Sequence, residues 1–206
     1  MTEAHWDERY AGDEWHYGEA PNDFLRQQAR LLRPSSRVLC IGDGEGRNGV
    51  HLAQQGHDVV SLDQYAVGLD KARRLAERRG VEIETWHVGL EHYIGLGDPP
   101  EPWDAVVSIF VHLEPQLRRA VARELTRQTR PGGLLLLEAY TPAQRSLGTG
   151  GPKDPDLLVT RADVQREWGD GWQLEVRIVE REVREGAGHT GLASTVQAVG
   201  LRRDEA

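Results

Sequence analysis

Residues 38–63 read VLCIGDGEGRNGVHLAQQGHDVVSLD, and they decide the fold. Residues 37–41 (RVLCI) read as a short buried strand, wholly apolar from Val38 to Ile41. Gly42, Gly44 and Gly46 then fall within five residues. Glycine weakens helices and strands alike, so three together mark a turn that needs positive φ or close backbone approach. Gly46 to Gln55 has a helical pattern with Gly56 as its C-terminal cap, and 58–63 returns to a strand ending in Asp63. Strand, glycine turn, helix and strand make a βαβ unit. Asp63 follows the turn by about 20 residues, the spacing of a carboxylate that accepts ribose hydroxyls. A tight βα turn without any ligand would also use these glycines; Asp63 favours a nucleoside-containing cofactor. The turn is neither G-x-G-x-x-G, since its third glycine position holds Arg47, nor a Walker loop, which needs Gly-Lys-Ser/Thr.

Working outward, 21–34 reads as a helix with Asn22 as N-cap and Pro34 as stop. An amphipathic helix is expected over 67–80, strands over 81–88 and 103–110, a helix over 115–130 and a buried strand over 132–140. Alternating strands and helices imply a parallel sheet covered on both faces. Two strand patterns at 172–185 and 190–203 have only a short connection, which makes an antiparallel hairpin. The segment 141–159, rich in Gly and Pro, has the length of a functional loop.

The bulk composition agrees with a globular protein. The 206 residues are 38% hydrophobic, include six tryptophans and carry a net charge of −8. That balance supplies no basic footprint for nucleic acid. No apolar run approaches the ~20 residues that span a bilayer, the polar N-terminus is not a secretory signal, and a single cysteine rules out an internal disulfide. These features predict a cytoplasmic protein without nucleic-acid or membrane partners, and no His/Cys/carboxylate spacing predicts a metal site.

Several stretches in order resemble the class I S-adenosylmethionine (SAM)-dependent methyltransferases, in the tellurite-resistance or thiopurine-methyltransferase-like branch. They are YGEAPNDFL (17–25), GDGEGRN (42–48) with Asp63, WDAVVSIFVHLEP (103–115), RPGGLLLLEAYTPAQ (130–144), GTGGPKDPDLL (148–158) and the terminal hairpin. The resemblance implies a Rossmann-like α/β fold whose seven-stranded, mostly parallel sheet ends in an antiparallel strand. It implies one domain over 1–206: an N-terminal cap (1–33), a cofactor core (34–140), an acceptor-side loop and helix (141–170) and the hairpin (171–206). It implies SAM as cofactor, S-adenosylhomocysteine as product, and a small-molecule acceptor with a soft nucleophile, a thiol or a tellurite- or selenite-type oxyanion. A monomer or homodimer is expected.

The same resemblance places Gly42, Gly44 and Gly46 under the methionyl part of SAM, Asp63 on the ribose and Gln64 beside the adenine. Gly89 and Leu90 then line the far side of the adenine, and Ser108, Ile109 and Phe110 border the methionyl group. Arg47 and Asn48 fit the family's GRN signature, with Arg47 near the carboxylate end. Cys40 stands where the family often has an acid, so Asp43 is the candidate to replace that contact. On the acceptor side, His112, His16 and Tyr17 are the catalytic candidates, with His189 in the hairpin turn, because histidine titrates near neutral pH. Trp6, Tyr10 and Trp15 are candidates for a lid, and Arg145 or Lys153 for attracting an anion. Two other readings are weighed against this one: a non-catalytic SAM-binding sensor or partner protein, and a nicotinamide-dependent reductase.

Overall fold

The computed structural model describes residue 6, residues 9–186 and residues 189–204, with His189 described in its backbone only. Seven strands make one sheet in the order β3-β2-β1-β4-β5-β7-β6. They are β1 (Arg37–Ile41), β2 (Asp58–Asp63), β3 (Glu84–His87), β4 (Trp103–Ile109), β5 (Thr129–Tyr140), β6 (Trp172–Glu185) and β7 (His189–Arg202). β1 to β5 pair in parallel, whereas β7 is antiparallel to both β5 and β6. The hairpin therefore does not simply extend the sheet. Its second strand inserts between β5 and its first.

The helices are α1 (Asp23–Gln28), α2 (Arg47–Gln54), α3 (Ala66–Arg79), α4 (Leu90–Tyr93), α5 (Pro115–Gln128) and α6 (Arg161–Trp168). α1 begins at Asn22, whose side chain accepts from the Leu25 amide, and tightens into a 3₁₀ turn at Ala29–Leu31. The helix expected over 21–34 is therefore shorter, as a final 3₁₀ turn allows. Val81 and Ile83 pack into the core before pairing begins, so β3 starts at Glu84 rather than at 81. α6 begins at a capping box formed by Thr160 and Asp163.

Alternation along β1 sorts the core. Leu39 and Ile41 face the layer that holds Val121, Leu125, Val164 and Trp168 of α5 and α6. Val38 and Cys40 face Phe24, Leu25 and Leu52 of α1 and α2. Both faces of the parallel strands are thus dry, which explains their continuous apolar runs. Cys40 is 1% exposed, and no described helix is long and apolar enough to cross a membrane.

Candidate cofactor and acceptor site

β1 and β4 separate the two halves of the sheet, and their C-terminal ends are where open α/β sheets bind ligands. Gly42, Gly44 and Gly46 lie there with φ of 57°, 54° and 82°. The three glycines do different work. A Cβ on Gly46 would collide with Ala72 of α3, and one on Gly42 would press Val111 at 3.0 Å. These two serve helix packing and a close approach to the loop after β4. A Cβ on Gly44 would instead meet the Tyr10 hydroxyl, at 2.7 Å. Of the three glycines, Gly44 is the one whose missing side chain opens towards the cleft.

Asp63 locks this turn. Its Oδ2 accepts from the Gly44 amide at 2.8 Å and its Oδ1 from the Tyr65 amide at 2.9 Å. Burial raises the Asp63 carboxyl above its usual range, while the Tyr65 and Gly44 amides pull it back. A carboxylate has about four lone-pair sites, so Asp63 retains capacity for a ribose hydroxyl beside these amides. The carboxylate would suit the ribose hydroxyls of SAM and the open glycine turn its methionyl part. Gln64 is exposed beside them, with its side-chain oxygen 3.4 Å from a Cβ built on Gly89.

Other expected site residues lie away from the cleft. Asp43 points beneath the turn, accepting from Ser61 Oγ at 2.6 Å and from the Gly49 amide. Burial pushes its carboxyl up to about 7 against those bonds. Asp43 therefore braces β2 and α2. Arg47 pairs with Glu185 at 2.6 Å, and Asn48 Oδ1 accepts from the Asn22 amide at 3.0 Å. The GRN motif thus ties the cofactor helix to the N-terminal segment and the hairpin. Leu90 and Ile109 belong to the core, and Ser108 lines a small internal cavity with Arg118 and Glu167.

The acceptor side is aromatic. Phe110 has the unusual φ of 54° for a non-glycine residue and stacks on Tyr140, with centroids 4.5 Å apart. His112 lies near-parallel to the same ring at 6.1 Å. Tyr17 acts on Tyr140 electrostatically, and both phenols are raised, chiefly by burial, so they stay protonated at neutral pH. His16 meets Tyr17 edge-on at 4.7 Å. His112 thus meets Tyr140, a residue the sequence reading missed, while His16 meets Tyr17. The position of Tyr140 at the C-terminal end of β5 was the available signal. Gly151 approaches the Tyr140 ring, where a Cβ would stand 3.0 Å away, so the 141–159 loop shapes this wall. Arg145 and Lys153 are exposed on it. The side chain of His189 lies outside the described residues.

The aromatic residues near the N-terminus group differently from the expected set. Trp6, Tyr10, Tyr17 and Tyr65 cluster, with Trp6 5.7 Å from Tyr10 and 6.3 Å from Tyr65. Trp15 packs elsewhere, under the Arg78 guanidinium at 4.3 Å. Among the described residues no group of His, Cys, Asp and Glu is arranged to hold a metal ion.

Strand order and the glycine turn, held by the Asp63 carboxylate, make a Rossmann-like fold of the class I methyltransferase type. Residues 38–133 match the family model described as a methyltransferase domain. The tRNA 5-carboxymethoxyuridine methyltransferase of Escherichia coli is 31% identical over 118 residues, 57% of this chain and 45% of that protein. The probable SAM-dependent methyltransferase TehB of Haemophilus influenzae is 26% identical over 113 residues, 54% of this chain and 38% of its own. The chain thus matches less than half the length of either relative. Among solved structures, TehB from Haemophilus influenzae superposes with a TM-score of 0.71 at 19% identity, covering 98% of this chain and 67% of that one. A structure describing conversion of a disulfide bond into a thioacetal group during echinomycin biosynthesis superposes at 0.72 with 23% identity, covering 98% and 89%. The chain thus has the Rossmann-like fold of the class I methyltransferases, and its residues 38–133 are similar to a methyltransferase domain.

Proposed function

We propose that this protein transfers the methyl group of SAM to a small, soft nucleophile, a thiol or a chalcogen oxyanion. The observation that carries the reading is the wall of Tyr17, Phe110, His112 and Tyr140 beside the Gly44–Asp63 cradle. A polarisable acceptor gains from aromatic faces and needs little proton removal. When bound, SAM supplies an electrophilic methyl on a good leaving group, so the protein's contribution is orientation and exclusion of water. Asp63 fixes the ribose and the Gly44 turn receives the methionyl part. Phe110 and Tyr140 make a dry surface for the acceptor. Tyr17 and Tyr140, held neutral, act as donors, whereas the half-buried imidazole of His112 is the group able to take a proton from a thiol. One similarity supports this acceptor class: the neighbouring structure whose described chemistry changes a disulfide bond.

Calorimetric titration with SAM and S-adenosylhomocysteine, repeated on Asp63→Ala, tests the cofactor half. Binding should weaken at least tenfold in the variant. Labelled methyl should then appear on small thiols, selenite or tellurite. Labelling of tRNA or of a protein, with none on these acceptors, would overturn the acceptor assignment.

A further inference from the structure

Glu45 lies inside the glycine turn but faces away from the cleft, and its side chain is 3% exposed. It pairs at 2.8 Å with Lys71 of α3, whose side chain is 2% exposed. A buried ion pair costs desolvation of both charges, so its further contacts decide its role. Glu45 Oε1 accepts from the His16 amide at 3.1 Å and Oε2 from the Tyr17 amide at 3.3 Å. The Lys71 ammonium donates to the Glu14 carbonyl at 2.7 Å, and Trp15 Nε1 donates to the Glu45 carbonyl at 3.2 Å. Four consecutive strap residues, 14 to 17, are therefore held by one buried pair.

The strap matters because of what lies at its two ends. Upstream, Tyr10 is 5% exposed, with its hydroxyl above Gly44 and its ring edge against Gly68. Downstream, Tyr17 belongs to the acceptor wall and Gly18 abuts Gly186 of the hairpin turn. With the strap in this position, Gly44, Asp63 and Asp43 are buried. A ligand of nucleoside size cannot reach or leave Gly44 until the strap lifts.

We propose that Glu45 and Lys71 are positioning residues that clamp the strap shut, so that their release sets the rate of cofactor exchange. The pair meets the aromatic wall at the Tyr17 amide. It acts through the His16 and Tyr17 amides, which move Tyr10 and Tyr17 together. The inference rests on the methyltransferase reading only for the identity of the ligand that is trapped.

The test is the double variant Glu45→Gln/Lys71→Met, which keeps volume and one acceptor oxygen while leaving no unpaired buried charge. Release of S-adenosylhomocysteine, chased by excess SAM in stopped flow, should accelerate at least tenfold. Amide exchange at His16 and Tyr17 should accelerate by a similar factor, with Leu39 and Ile41 in β1 unchanged. The exchanged pair Glu45→Lys/Lys71→Glu should not restore slow release, because a lysine at 45 cannot accept from the two amides. Unchanged release together with unchanged exchange at 16 and 17 would overturn the clamp. Faster exchange throughout β1 would also overturn it, since that reports general loosening. Failure of the unaltered protein to bind S-adenosylhomocysteine would refute the cofactor reading instead, and exchange at His16 and Tyr17 would still decide the clamp.

Discussion

Gly44 and Gly46 stand two residues apart, yet substitution should affect different properties. Alanine at 46 drives a methyl group into the backbone of Ala72, which cannot yield cheaply. We expect Gly46→Ala to cost at least ~2 kcal/mol, read as a lowered urea midpoint. Gly44→Ala carries the φ penalty of about 1 kcal/mol, and its methyl meets the movable tip of Tyr10. It should stay folded but lose most SAM affinity by calorimetry. Asp43 supplies a test by pH. Its carboxyl is raised from 3.8 to about 7, so between these values the folded state holds a proton that the unfolded chain has lost. Its contribution to stability therefore declines as pH rises from about 4 to about 7. Asp43→Asn keeps an acceptor for Gly49 and a partner for Ser61 without a charge. Its melting temperature relative to the unaltered protein should be higher at pH 8 than at pH 5; an equal difference at both would refute the assignment.

At the scale of elements, the hairpin is joined to the N-terminal segment by a cluster without local signature. Glu138 of β5 is fully buried and accepts from Asn22, Arg181, Thr195 and Gln197. Glu185 accepts from Arg47, Asn22 and Arg181. Two carboxylates and two guanidiniums balance, and each Glu138 oxygen is satisfied, as a buried charge must be. Removing one cation leaves a buried carboxylate short of its partner. Arg181→Met should therefore cost about 3 kcal/mol in urea unfolding, against no more than ~0.5 kcal/mol for Arg26→Met at the exposed Asp23 pair. The expected strands at 37–41, 58–63 and 103–110 coincide with β1, β2 and β4 to within a residue, because apolar runs and turn residues are local signals. The ionic cluster was not legible. Its partners lie 116 residues apart for Asn22 and Glu138 and 138 apart for Arg47 and Glu185, and no spacing rule reaches that far.

For the whole molecule, the same division applies to the site. Gly44 and Asp63 could be read as a cradle because β1, turn, α2 and β2 are contiguous in the chain. Arg47 and Asn48, expected at the cofactor, meet Glu185 of β6 and the Asn22 amide before α1, distant partners that no local pattern announces. Tyr140 and the Glu45–Lys71 pair likewise acquire meaning only after β5, α3 and the strap have met. The insertion of β7 between β5 and β6 bears on how the protein is made. During synthesis the ribosome releases residues 189–202 after every other strand. Until then β5, with its run of four leucines, keeps one edge open, and β6 has no neighbour to hold it. The nascent chain thus carries an unfinished, sticky margin for the time its last strand takes to emerge, and that interval is when a holding chaperone would be of most use to it.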